Sequence, residues 1–480
     1  MKLSGKIALT SGFIFDYGNM LDSQVTSADL EVLQNKATAA AEALLLIRRQ
    51  GIAKAHLSKD GTPEPVFFTK LPFVQNGNPN TPDSITKLKQ FGNYLQQEVD
   101  AVVFLGVGGS YLGNKVLFDV FAGSGWNVGC EKSRQGYPRV YFSGNNLDVD
   151  QYCEVVSELE YLAEHRLGKK EQFRVVLVPI SKSGTTLETL AAFAYFYEHC
   201  QKSSLLQLEV AVVTDLNNGV SPLYTLAQEH SWHCFDIKEG IGGRFCIFSD
   251  PGLITAAAIG MDIDAFLRGA RDMEIACQSA VPEENPALLN AVLKYTAAAK
   301  GADIEVFMPY AAKMKSVGEW YVQLLAESLG KRQDREGNTV YYGRTPVAAV
   351  GSTDMHAQTQ QHQDGKKDKV VQFVEILERE QQITLNNPFS HIAAFKKYDK
   401  LAVDDALKIA LAANAEALTG DGRLNAKYIL PRIDEYYLGQ LLYFLMLSVA
   451  YEGELADVDA YDQPGVETYK QIMKQKMSQL

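Results

Sequence analysis

Five hydroxyl side chains crowd residues 181–189, SKSGTTLET, directly after the apolar run VVLVPI. An apolar run of that kind is a buried strand, and its loop lies where open α/β sheets bind ligands, beyond the carboxyl end of a strand. Ser181, Lys182, Ser183 and Gly184 form the loop, and a helix is expected from Thr185 or Thr186. Hydroxyls together with the open amides of a helix start can cradle a phosphate. The Walker pattern GxxxxGK[ST] is absent, so a single phosphate is expected rather than a nucleoside triphosphate. Thr185 and Glu188 also stand at capping-box spacing, so one threonine could serve only as a cap. A cap leaves Ser181, Ser183 and Thr186 unexplained.

A second loop of this kind follows another valine-rich run. AVVFL leads into GVGGSYLG, residues 106–113. Gly106 and Gly108 begin a GxGxxG pattern, but Tyr111 stands in its sixth place and no acidic residue closes the next strand, so a dinucleotide fold is disfavoured. Ser110 then sits at a helix start, either as an anion contact or within a turn that simply needs glycine.

Other residues supply charge and acid–base chemistry. Arg244 follows paired glycines in EGIGGRF and could hold an oxyanion or a phosphate, or make structural bonds in a glycine turn. Glu319, Gln323 and Glu327 lie four apart in GEWYVQLLAESLGK and share one helix face. Such a stripe is usually solvated. Glu327, however, falls in the last turn, where the negative end of the helix dipole disfavours its charge, and that suits a general base. His356, in AVGSTDMHAQ, reads on spacing alone as a hydrogen-bonded core histidine just inside a helix. Lys470 lies in the helix opened by the turn DQPG, where a lone lysine is ordinarily solvated. His230 and His233 form an HxxH without a third ligand, and no metal is assigned to them.

Short valine-rich runs must position these residues. Residues 101–105, 139–142, 173–180 and 208–213 form one set. Residues 304–308, 347–350, 370–376 and 428–430 form another, with helices alone expected over 251–300. Most runs in the first set lack alternation, as strands buried on both faces of a parallel sheet do. Two α/β units joined by helices follow. Before them, Leu30, Leu33, Ala37, Ala40, Leu44 and Ile47 repeat every three or four residues, predicting one helix from about Ser27 to Gly51.

The 480 residues carry a net charge of −12, which argues against nucleic acid or an anionic membrane as the main partner. Six scattered cysteines without CxxC fit free thiols in a reducing compartment. MKLSGKIALTSGF lacks the apolar core of a signal peptide, and the run YYLGQLLYFLMLSVAY reads as a buried helix. A cytoplasmic protein is expected.

GVGGSYLG, PISKSGTTLET, EGIGGRF, QLLAESLGK, GSTDMHAQ and YDQPGVETYK, in that order, resemble the phosphoglucose isomerase family. The similarity runs from about Ala101 to near the C-terminus. It implies two sugar-isomerase domains, each an α/β/α sandwich about a five-stranded parallel sheet. The corresponding division is a helical extension over 1–80, a first domain over 81–280, a second over 281–435 and closing helices over 436–480. The implied reaction interconverts glucose 6-phosphate and fructose 6-phosphate through a cis-enediol, without metal or organic cofactor. By the resemblance, Ser110, Ser181, Ser183 and Thr186 bind the phosphate. Glu327 matches the base that moves a proton between C1 and C2, and Arg244 the cation that stabilises the enediolate. His356, supplied across a homodimer interface, and Lys470 match the ring-opening pair. Gln323 and Gln463 match substrate contacts.

Ser183 and Gly184 depart from the animal pattern of a threonine and a bulky aromatic, Cys246 stands for the usual serine, and Pro464 for an aromatic. No charged group of the motif set is lost. A non-catalytic sugar-phosphate sensor would have no need of Glu327, Arg244, His356 and Lys470 together. An amidotransferase isomerase module would need an N-terminal catalytic cysteine, and the first cysteine here is Cys130.

Overall fold

The computed structural model describes residues 3–21, 25–58, 60–217, 219 and 221–479. Two compact units emerge, Pro65–Arg268 and a second made of the residues up to Glu64 with those from Gly269 onward.

The Pro65–Arg268 unit holds a five-stranded sheet, parallel throughout. Its spatial order is Arg139–Ser143, Ala101–Leu105, Phe173–Pro179, Leu206–Thr214, His233–Asp236. Every residue of Ala101–Leu105 is buried, because helices cover both faces of this interior strand. The edge strand His233–Asp236 has no counterpart among the sequence-predicted runs. It is four residues long and only Phe235 is fully buried, so it lacks the apolar run that marks its neighbours. From Ala101–Leu105 the chain moves first to one side, to Arg139–Ser143, and then to the other, to Phe173–Pro179. The topological switch point therefore lies between strands 101–105 and 173–179, and the two hydroxyl-bearing loops leave from the carboxyl ends of those two strands.

The main sheet of the other unit has six strands rather than five. Thr345–Ala348, Ile304–Pro309, Lys369–Ile376 and Leu424–Leu430 are parallel neighbours, and the hairpin of Ile14–Asp16 and Lys6–Ala8 continues the sheet antiparallel beyond Leu424–Leu430. The opening segment is thus more than a helical extension. Phe13 and Phe15 alternate inward and pack on Phe444, and Phe15 also meets Tyr428. The single helix expected from Ser27 to Gly51 is two, Ser27–Val32 and Gln34–Gln50, broken at Leu33. A capping box between Thr26 and Asp29 starts the first, and Gly51 ends the second with φ 70°. The apolar run 436–451 lies in the buried helix Glu435–Leu455, and no helix among the described residues is long and apolar enough to cross a membrane.

A closed polar network lies inside this unit. Glu305 accepts from Lys294, from Tyr321 Oη at 2.7 Å and from Arg344 at 2.9 Å. Arg344 continues to Glu452, which also accepts from Tyr342 Oη at 2.6 Å. Lys294, Glu305, Arg344 and Glu452 are all buried, and their charges balance. They join the strand Ile304–Pro309 to the helices Pro286–Ala299, Lys315–Leu329 and Glu435–Leu455.

Candidate active site

In the Pro65–Arg268 unit, Ser181 is buried and its Oγ lies 2.9 Å from Thr186 Oγ1. Thr186 is the N-cap residue of the helix Leu187–Lys202, yet its side chain makes no capping bond. The expected cap is absent: Thr186 turns toward Ser181, and Thr185 donates through its amide and Oγ1 to Ser183 Oγ. The helix therefore opens without a side-chain acceptor on its first amides, as an anion seat requires. Gly184 holds the turn at φ 65°, and a Cβ there would lie 2.2 Å from Ser221 Oγ. Thr214 pins the loop from below, its Oγ1 donating to the Ser181 carbonyl at 2.7 Å.

Ser110 is the second residue of the helix Gly109–Leu117, half-buried, with its amide bonded to the Val107 carbonyl. Gly109 packs directly on the loop that carries Arg244. A Cβ on Gly109 would stand 2.1 Å from the Gly243 carbonyl oxygen, so any side chain would separate the two loops. Cys246 Sγ donates to the Gly109 carbonyl at 3.4 Å, and burial pushes this thiol up to about 12, keeping the proton it donates. Cys246 thus fills the place of a serine as a weak donor. Arg244 is 1% exposed, with its guanidinium 5.4 Å from the Phe245 ring centre. The structure brings the Ser110 and Arg244 loops together and joins Ser181 to Thr186.

In the other unit, Gln323 and Glu327 share a face of the helix Lys315–Leu329, both half-buried. Gln323 Nε2 donates to Glu327 Oε1 at 3.0 Å, which orients the carboxylate. Glu319, on the same stripe, is exposed and pairs loosely with Lys315 at 3.9 Å. The buried network anchors this helix through Tyr321.

Sequence reading missed Lys331. It is buried, and its Nζ donates to the Glu327 carbonyl at 2.9 Å and to both the carbonyl and carboxylate of Asp462 at 2.6 Å. It therefore ties the end of the Glu327 helix to the residue before Gln463, which is the N-cap of the helix Pro464–Met477. The basic residue just past the helix end was the available signal, but its partner is 131 positions away.

His356 is not the core histidine that its spacing predicts. It closes a 3-10 turn, Thr353–His356, is exposed, and makes no hydrogen bond among the described residues. Asp354 fixes that turn by accepting from the Val350 amide at 2.6 Å. Lys470 is exposed on Pro464–Met477, 3.6 Å from Glu467. Neither His356 nor Lys470 is joined to Glu327 by a hydrogen bond or ion pair of its own. The HxxH residues serve as rings: His230 stacks on Trp232 at 4.8 Å, and His233 packs on Phe91.

The family model described as phosphoglucose isomerase matches residues 86–480. The glucose-6-phosphate isomerase of Carboxydothermus hydrogenoformans is 32% identical over 403 residues, covering 84% of this chain and 83% of its own. That of Methanocaldococcus jannaschii is 32% identical over 390 residues, covering 81% and 86%. Among solved structures, a hypothetical protein from Thermus thermophilus superposes with a TM-score of 0.77 at 27% identity, covering 94% of this chain and 96% of that one. The glucose-6-phosphate isomerase of Chlamydia trachomatis shares the fold, with a TM-score of 0.79 at 22% identity over 99% of this chain and 90% of that one. On that match and those relatives, the chain belongs to the phosphoglucose isomerase family.

Proposed function

We propose that this isomerase interconverts glucose 6-phosphate and fructose 6-phosphate, with the residues above in the following roles. Ser110, Ser181, Ser183 and Thr186 seat the phosphate. His356 and Lys470 open the sugar ring, one as proton donor and one as acceptor. Glu327 removes the proton from C2 of the open aldose to give the cis-enediolate, the O2 hydroxyl proton passes to O1, and Glu327 returns its proton to C1, which leaves the C2 ketone and a regenerated carboxylate. Arg244 balances the oxyanion, because a guanidinium stays charged throughout. Gln323 and Gln463 contact the sugar. The phosphate is remote from C1 and C2, so its binding orients the reacting carbons without entering the chemistry.

The observation that carries this reading is the hydroxyl-lined, uncapped helix start at the switch point of a parallel sheet. Turnover of both hexose phosphates in a coupled assay tests it, and failure on either would remove the assigned reaction.

Exposure of His356 on a turn held by Asp354 supports its donation to the site of a partner subunit in a homodimer. Two inactive variants, His356→Ala and Glu327→Gln, should then complement each other. Random reassortment makes half the dimers mixed with one intact site each, so about a quarter of wild-type activity should return. Activity that stays at the level of the separate variants would place His356 in its own subunit's site.

Lys331 is assigned as a positioning residue for Glu327 and Gln463. Lys331→Met should lower kcat by roughly ten- to hundredfold while KM changes little, since a small misplacement of a base is costly. A lower Tm with unchanged kcat would make its role purely structural.

A further inference from the structure

A cleft of about 170 Å³, which Leu167 lines together with polar side chains, lies at the opposite end of the strands of the first sheet. Asp100, Cys130, Glu131, Arg134, Arg139 and Lys169 line it. Asp100 immediately precedes the strand Ala101–Leu105, and Arg139 begins its neighbour Arg139–Ser143. The cleft is therefore at the amino ends of the strands, whereas the loops 106–110 and 180–186 leave the carboxyl ends. Five residues of strand separate the two edges by roughly 17 Å.

The charges in this cleft are unbalanced. Arg134 is only 4% exposed, and its Nε and Nη1 donate to the carbonyls of Tyr137 and Gly129. Arg139 Nε donates to the Asn127 carbonyl at 3.1 Å. Neither guanidinium is ion-paired to a carboxylate among the described residues, and no hydrogen bond there uses Arg134 Nη2 or either terminal nitrogen of Arg139. Lys169 Nζ reaches only backbone carbonyls, those of Leu95, Gln96 and Val99. Of the two acids, Asp100 is already engaged by the amides of Lys169 at 2.6 Å and Arg174 at 2.8 Å. Glu131 is exposed at the rim. Burial, and then the like charge of Arg139, disfavour the charged form of Arg134 by more than the attraction of Glu131 at the rim favours it. A buried guanidinium with no carboxylate in ion-pair contact is costly, and a guanidinium pair with open donors matches the oxygens of a phosphate.

We propose that this cleft is a second anion site, built for a small phosphate species, either inorganic phosphate or a three-carbon phosphate ester. It is separate from the site of isomerisation. Cys130 at its rim is exposed, and its thiol is lowered by hydrogen bonds from the Ser133 backbone and side chain, so it serves as the reporter. Cys153, also exposed, serves as the internal control.

The test is the rate of iodoacetamide alkylation at each cysteine, read by peptide mass spectrometry on the full chain. Inorganic phosphate and glycerol 3-phosphate are titrated in turn at constant ionic strength. Saturable slowing at Cys130 alone is expected, and the species that protects at lower concentration identifies the ligand. Arg139→Gln should abolish the protection while leaving kcat and KM for isomerisation unchanged. Glu131→Gln removes the one acid at the rim of this cleft, on an exposed residue, and should tighten protection by about two- to fivefold. No saturation with either anion, equal slowing at Cys153, survival of protection in Arg139→Gln, or unchanged protection in Glu131→Gln would each overturn the proposal.

Discussion

Glu327→Gln is expected to lower kcat by roughly 10²–10⁴-fold, the contribution typical of a positioned acid–base group. The substitution keeps the shape of the side chain and its capacity to bond Gln323, so the helix Lys315–Leu329 should be undisturbed. Substrate affinity should change little, because phosphate contacts are assigned to Ser110, Ser181, Ser183 and Thr186, outside that helix. Exchange of the C2 proton with deuterated solvent, followed by NMR, separates the steps. The variant should bind hexose phosphate and fail to exchange. Wild-type exchange in Glu327→Gln would take that residue out of the proton transfer.

The largest effect on stability is expected at Glu305. Removing it by Glu305→Ala leaves Lys294 and Arg344 buried without their shared carboxylate, and breaking such a pair typically costs about 3–5 kcal/mol. Urea denaturation should show the loss as a lower midpoint. The pH dependence has a definite sign. Burial pushes the Glu305 carboxyl up, but Lys294 and Arg344 outweigh burial and hold it at about 2, below its unfolded value of 4.5. Its contribution is therefore complete above pH 4.5 and is lost as pH falls toward 2. The wild type should lose more stability than Glu305→Gln across that window. Equal acid sensitivity of the two proteins would mean that the network does not hold the carboxylate ionised.

The strands of the first sheet were legible because burial on both faces leaves an unbroken apolar run, as in AVVFL and VVLVP. The serine-lysine loop was legible because its hydroxyls exceed what one cap could use, and the Gln323–Glu327 face follows from helical spacing. His356 and Lys470 were different. Each is a single exposed side chain on a short turn or helix, and only the resemblance to a family marked them. Long-range pairings left no local trace. The hairpin Lys6–Ala8 with Ile14–Asp16 joins a strand some 400 residues later in the chain, and three-residue strands are too short to show a period. Lys294, Glu305, Arg344 and Glu452 each look like a lone charge, and only the fold shows that they neutralise one another. Leu33 fits the helical repeat in sequence, yet its backbone shifts to φ −88° and ψ −4° and the helix is interrupted there.

The central claim is that one hexose phosphate is held by its ester at the hydroxyl loops while Glu327 works on its first two carbons. A crystal of the protein soaked with fructose 6-phosphate tests this most directly. The account predicts phosphate oxygens hydrogen-bonded to Ser181, Ser183 and Thr186, with a Glu327 carboxylate oxygen about 3 Å from C1 and C2. Phosphate density away from those hydroxyls, or a Glu327 carboxylate turned from those carbons, would contradict it.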